Sequence, residues 1–201
     1  MPIVVHRFDE PERFVAGTVG EPGQRTFFLQ ARDGARVTSV ALEKQQVTVL
    51  AERVEMLLDE ALRRSGGDAV IPAVAPVDSR DGDPLDQPIV EEFRVGTITL
   101  SWDADAGLVV IELFPVDDEV VVEFEDDEDP AAEEIDVEVE VEVEANEVLV
   151  VTMRPSYARS FVQRAINVVA AGRPPCPFCG NPLDPEGHLC PRANGYRRLA
   201  G

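Results

Sequence analysis

Histidine, cysteine and aromatic residues are scarce in this 201-residue chain, and each shortage narrows the chemistry open to it. Only His6 and His188 are present, so a histidine base for acid–base or nucleophilic catalysis has two candidates at most. His6 lies in a short strand near the start, where an exposed or hydrogen-bonded strand histidine is the simplest reading. No G-x-x-x-x-G-K-[ST] loop occurs, nor a G-x-G-x-x-G opening a helix, so nucleotide hydrolysis has no phosphate cradle. With 39 acidic side chains, carboxylate pairs arise by abundance alone, and none is singled out for acid and base work. Long apolar runs are missing as well. Nothing approaches the roughly 18 continuous apolar residues of a membrane span, and the run after Met1 is too short for a signal-peptide core. The expectation is a cytoplasmic protein with no membrane contact and no assignable catalytic residue, hence not an enzyme.

What is abundant is acid, and it is unevenly spread. The net charge of −21 divides into −2 over residues 1–71, −24 over residues 72–150 and +5 over residues 151–201. Between Asp117 and Glu147 there are 17 carboxylates and no Lys or Arg. Such a field repels nucleic acid and anionic membrane and attracts basic partners, among them this chain's own positive C-terminal part. The 44% apolar content still suits a soluble globular protein with a real core, in one or two compact domains.

All three cysteines fall in the last 26 residues, as Cys176-Pro-Phe-Cys179 and His188-Leu-Cys190. Cys-x-x-Cys makes a tight turn that aims two thiolates at one point, and a second pair from a short loop can complete the tetrahedron that Zn²⁺ prefers. Cys176, Cys179, His188 and Cys190 are therefore the expected ligands of a structural zinc ion. Four protein ligands would leave no open position for water, whereas three would leave one. Pro174, Pro175, Pro177, Pro182, Pro185 and Pro191, with Gly180 and Gly187, favour turns over helix or strand. A redox Cys-x-x-Cys pair is the alternative, but it explains neither His188 nor Cys190. Cysteines clustered as ligands argue for a reducing compartment and against a disulfide scaffold.

Periodicity divides the rest of the chain into two similar halves. Strands at about 2–9, 12–19, 25–31 and 36–43 precede a helix from about Thr48 to Arg64, in which Leu50, Val54, Leu57, Leu58, Ala61 and Leu62 recur at helical spacing. Thr48 can cap its start, and Arg63, Arg64 and Gly66 suit its end. After a linker at 72–88, strands at about 89–102, 107–115, 120–144 and 147–154 precede a helix from Pro155 to Ala171, with Tyr157, Phe161, Ala165 and Val168 as its apolar stripe. Asp103-Ala-Asp-Ala-Gly107 supplies a hairpin turn. The stretch 125–134 reads as a mobile acidic insert. Ile135 to Glu144 alternates apolar and acidic residues with a period of two, a strand with one acidic face, and Ala145-Asn146 would turn it into the strand at 147–153. That acidic row could hold Ca²⁺ or a basic protein, but it chiefly serves to keep a sheet edge soluble.

The predicted fold is α+β: two β-β-β-β-α units with pseudo-twofold symmetry, at 1–71 and 89–172, plus a zinc knuckle and basic tail at 173–201. This order of elements is similar to Pur-type and Whirly-type nucleic-acid-binding repeats, although architecture alone carries no function. The chain also resembles, along its length, an actinobacterial family of conserved repeat proteins, the domain of unknown function 3090. The resemblance rests on Arg7-Phe8, Phe14-Val-Ala-Gly-Thr-Val-Gly20, Ala41-Leu-Glu-Lys-Gln-Gln-Val47, Cys176-Pro-Phe-Cys-Gly180 and His188-Leu-Cys-Pro-Arg-Ala-Asn-Gly195. It implies a cytoplasmic protein found beside a phosphatase-like and a kinase-like companion, with no catalytic residue to carry over.

Three functional classes follow. The first is a protein-interaction or scaffolding module presenting an acidic face and a knuckle ringed by Arg173, Arg192, Arg197 and Arg198, which could equally dock on the body's own carboxylates. The second is single-stranded nucleic-acid binding through those arginines and a first-sheet surface bearing Arg25, Phe27, Arg32 and Arg36. An aromatic content of only 6% weighs against it. The third is an enzyme with a cleft between the halves. Exposed sheet edges make a homodimer a further expectation.

Overall fold

A computed structural model of the chain describes residues 3–64, 71–77, 81–116, 146–172, 176–179, 190 and 192. The elements run β1 (Val4–Asp9), β2 (Arg13–Val19), β3 (Thr26–Asp33), β4 (Arg36–Leu42), α1 (Lys44–Arg64), β5 (Glu91–Asp103), β6 (Leu108–Pro115), β7 (Glu147–Met153) and α2 (Pro155–Ala170). The α+β class and both helices match the periodicity. The arrangement of the strands does not follow from it. All seven join one mixed sheet in the order β1-β7-β6-β5-β4-β3-β2. Strands β2-β3-β4 and β5-β6-β7 are antiparallel meanders, while β4 meets β5 and β1 meets β7 in parallel. The expected unit of four consecutive strands is thus broken at β1, which leaves its own half and pairs with the last strand of the other.

That placement forces curvature. A flat seven-stranded sheet would hold its end strands roughly 29 Å apart, six spacings of about 4.8 Å. Yet β1 and β2, the two ends, are joined through Glu10, Pro11 and Glu12 alone. The four virtual bonds from Asp9 to Arg13 reach about 14 Å at most. The sheet therefore curls until its ends approach. One apolar cluster fills its inner side, shared by Phe8, Phe14, Leu29, Leu42, Ile111, Leu149 and Met153 from the strands and by Leu58 and Phe161 from the helices. Phe14 and Phe161 stack with ring centroids 5.0 Å apart.

Local chemistry explains the boundaries. Helix α1 starts four residues before the predicted Thr48. Glu43 is its cap residue and Gln46 sits at the third helical position, where its Oε1 accepts from the Glu43 amide at 2.8 Å, one half of a capping box. Gln46 Nε2 donates to the carbonyls of Val95 and Gly96, 3.0 and 3.2 Å away, where β5 shifts register. Thr48 instead donates its hydroxyl back to the Lys44 carbonyl at 3.0 Å. Buried Val47, Leu50, Ala51, Val54, Leu58 and Ala61 form the inward stripe of α1. Pro155 opens α2, as its missing amide donor permits. The Asp103–Gly107 turn forms as expected, with Asp103 Oδ1 accepting from the amides of Asp105 and Ala106 and Gly107 at φ +67°.

The strand expected at 135–144 and the acidic insert lie outside the described residues. The predicted partner of β7 is nevertheless corrected. From Leu149 to Thr152 β7 has β1 on one side and β6 on the other, so its edges there are already taken and a hairpin through Ala145-Asn146 does not supply its neighbour.

On the outer face of β2-β3-β4, Val15, Phe28, Ala41 and Leu85 make a second small core, with Ile89 against it. The segment 81–89 thus lies across the sheet as a strap. Gly17 makes the close approach possible: a Cβ there would stand 2.5 Å from Leu85 Cγ.

Candidate metal centre

The described cysteines converge. Cys176, Cys179 and Cys190 each offer a sulfur within 4.8 Å of the others. Cys176 Sγ and Cys190 Sγ are 3.8 Å apart, and both residues are buried at 5% exposure. A disulfide holds its sulfurs at about 2.0 Å, so these two are not joined as one. The Pro-Phe-Cys turn at 177–179 brings the first two together, and Arg192 Nη1 donates to the Phe178 carbonyl at 3.2 Å, tying the turn to the far side of Cys190. Three thiols gathered from 15 residues of chain are positioned to hold one metal ion. His188, Arg173, Arg197 and Arg198 lie outside the described residues. Phe178, between the first two cysteines, is 63% exposed.

The first-sheet surface expected for nucleic acid is not assembled. Phe27 is buried under the helices, which leaves no face for a base to stack on. Arg25 donates to the Ala171 carbonyl at the end of α2 at 3.0 Å, where its charge also suits the helix dipole. Arg32 pairs with Glu12 at 2.8 Å, and Arg36 lies over the Phe8 ring with its guanidinium carbon 3.9 Å from the centroid.

Sequence reasoning missed an internal polar latch. Arg13, 8% exposed, holds Asp81 through Nε at 2.6 Å and Nη2 at 3.0 Å, and Asp86 through Nη1 at 2.8 Å. Arg164 on α2 reaches the same Asp81 at 2.6 Å and donates to the Ala16 carbonyl at 2.8 Å and the Asp83 carbonyl at 2.7 Å. Gln30 accepts from the Asp86 amide at 2.7 Å and donates to its carbonyl at 3.1 Å. These bonds fix the strap. The hydrogen bond from Arg13 draws the Asp81 carboxyl below its ordinary range against the opposing effect of burial. Arg13 is in turn raised, chiefly by Asp81, whereas desolvation lowers Arg164; both guanidiniums stay charged. The Tyr157 hydroxyl accepts from the Phe14 amide at 2.7 Å, and its burial pushes the phenol up. Tyr157 and Arg164 together satisfy an amide and a carbonyl of β2, the strand at one end of the sheet. The sequence signal was an arginine on an apolar strand parity, two residues before buried Val15 and four before Gly17.

Two hollows bear on catalysis. One, of about 360 Å³ between α1 and β5, is lined by Val49, Leu50, Ile98 and Leu100, with Gln45 and Arg53 at its rim. The other, about 420 Å³, is lined by Asp81, Ser160, Gln163, Arg164 and Asn167, and its only opposed charges, Asp81 and Arg164, already bind each other. His6, weighed alone in the sequence, lies beside Glu147 and Glu92. No helix among the described residues is long and apolar enough to cross a membrane.

A family model described as "Protein of unknown function (DUF3090)" matches residues 6–190, which takes in both halves and all three cysteines. No curated protein and no solved structure matches the chain.

Proposed function

This chain belongs to the DUF3090 family of proteins of unknown function, and for it we propose a role in contact rather than turnover: a scaffold or protein-interaction module whose C-terminal knuckle is stapled by structural zinc. The observation that carries this reading is the sulfur spacing. Thiolates bound to zinc at about 2.3 Å in a tetrahedron stand about 3.8 Å apart along each edge, and Cys176 and Cys190 are 3.8 Å apart. Three soft donors select zinc over hard cations such as Ca²⁺. His188, two residues before Cys190, supplies the fourth ligand and closes the shell, so the ion orders the tail and activates no water. Purified protein should carry one zinc per chain. Cys190→Ser should release it, and a zinc content near zero in wild type prepared without chelators would end the proposal.

Partner contact falls to the knuckle because Phe178 is 63% exposed beside exposed Arg192, an aromatic anchor with a neighbouring cation. The strongly acidic segment elsewhere in the chain favours a partner with basic surface. Cytoplasmic partners captured by wild type and lost with both Cys190→Ser and Phe178→Ala support this. Capture unchanged in both variants removes the knuckle from the contact.

A second reading, single-stranded nucleic acid, draws on the same Phe178 and Arg192 with Arg173, Arg197 and Arg198. It requires oligonucleotide binding that falls steeply with salt and with Phe178→Ala; no binding at low salt removes it. The β2-β3-β4-α1 and β5-β6-β7-α2 segments share their order, which supports an ancestral duplication of the kind seen in Pur-type and Whirly-type repeats. Homodimer formation through exposed strand surface is tested by sedimentation.

A further inference from the structure

Strand parity places two polar residues where apolar ones belong. Along β1, His6 precedes Phe8 by two residues, and Phe8 is fully buried. Along β7, Glu147 precedes Leu149 and Val151 by two and four, and both are fully buried. Successive side chains of a strand alternate between faces, so His6 and Glu147 continue the core-facing rows to the rim of the curled sheet. The parallel register, with Val4 opposite Glu147 and His6 opposite Leu149, makes these two side chains diagonal neighbours on one face. Glu92, the second residue of β5, comes in from a third strand.

The donor atoms of the three converge. His6 Nε2 is 2.6 Å from Glu147 Oε1 and 4.0 Å from Glu92 Oε1, and one ligand atom from each residue lies within 4.8 Å of the others. The side chains of His6 and Glu147 are only 20% and 24% exposed, and Glu92 is 41% exposed. Among the described residues no Lys or Arg forms an ion pair with either carboxylate. His6 Nε2 and Glu147 Oε1 stand at hydrogen-bond distance, and Glu92 brings a second carboxylate to the same imidazole nitrogen. The arrangement has a simple completion.

We propose that His6, Glu92 and Glu147 form a divalent-cation site, distinct from the cysteine centre, that ties the N-terminal strand to β5 and β7. One imidazole and two carboxylates make a set of intermediate hardness, suited to Mn²⁺ rather than to a thiophilic ion. Donors around such an ion at about 2.1 Å stand roughly 3 to 4 Å apart. The two observed separations bracket that range, so a small rotation of each glutamate seats the ion. The chemistry of the donor set also separates it from Cys176, Cys179 and Cys190, which a hard ion leaves alone. The site rests on residues distant in sequence and brought together only by the fold, unlike the run of carboxylates in residues 117–145, which comes from neighbours in sequence.

The test is an Mn²⁺ titration of the full chain followed by electron paramagnetic resonance, with His6 ring protons observed by NMR in parallel. Because the chain has only two histidines, His6→Asn assigns the ring signals directly. Wild type should take up one Mn²⁺ per chain in a tight phase, with His6 broadened at substoichiometric metal. His6→Asn should abolish that phase, Glu92→Gln should weaken it about tenfold or more, and Cys190→Ser should leave it unchanged. Uptake equal in wild type and His6→Asn assigns the binding to the acidic stretch and overturns the proposal, as does a His6 signal untouched by Mn²⁺. If His6→Asn fails to fold, Glu92→Gln and the wild-type NMR decide alone, since Glu92 lies at the surface end of β5 outside the core.

Discussion

The two end strands of the sheet each carry a charged cluster, and the clusters differ in one respect. At β2, the cations Arg13 and Arg164 meet the carboxylates Asp81 and Asp86, with backbone carbonyls taking the remaining guanidinium donors. At β1, the carboxylates Glu92 and Glu147 meet one histidine. Charge balance makes the first cluster complete. It holds a strap over Gly17 and covers part of the β2 edge, and it has nothing left to offer a ligand. The second cluster sets two carboxylates against a single imidazole, with His6 and Glu147 at the rim of the core-facing rows and Glu92 at the surface end of β5. A network whose cations and carboxylates match is a structural device; carboxylates and an imidazole converging with no Lys or Arg among them make a place where a cation fits.

The comparison breaks most severely at Arg13. Arg13→Ala leaves Asp81 and Asp86 without their main partner and should cost about 3 kcal/mol in urea-monitored unfolding, as for other broken buried pairs. The same carboxylate gives a pH signature. Asp81 titrates below its ordinary 3.8 in the folded protein, so its contribution is complete above that value and is lost as pH falls through the depressed one. Acid destabilisation in that window should shrink in Asp81→Asn. Next in size, Gly17→Ala should cost about 2 kcal/mol by pushing Leu85 off the sheet. Leu85→Ala in the same chain should recover part of that loss, a non-additivity that two independent sites would not show. Tyr157→Phe removes the acceptor for the Phe14 amide and should cost about 1 kcal/mol. The smallest expected effect on the sheet is that of Cys190→Ser. Zinc is lost and amide exchange at 176–179 rises, while the unfolding midpoint of the β-rich body stays in place.

Legibility in the sequence followed range. The inward stripe of α1 was readable because Leu50, Val54, Leu58 and Ala61 repeat within one helix, and β2, β3, β4, β5, β6 and β7 lay within a few residues of their predicted spans. The start of α1 was misplaced because Gln46 caps it by accepting from the Glu43 amide, a weaker signal than threonine at 48. The cysteine cluster was readable because its ligands are close in sequence. The position of β1 was not, since its partner residues lie 143 further along the chain and nothing local distinguishes a strand that stays with its hairpin from one that crosses to the far end. The latch and the His6 cluster follow from that same crossing and from the strap, so they were hidden with it.

By itself the sequence determined the α+β class, both helices, the run of carboxylates and the three thiols that meet, because each depends on periodicity or spacing within a few turns of chain. Only the tertiary structure decided the order of the seven strands, the curl that brings β1 near β2, and the meeting of His6 with Glu92 and Glu147. Those depend on which distant apolar faces share one core, and a choice among long-range pairings is settled by total burial rather than by any local pattern.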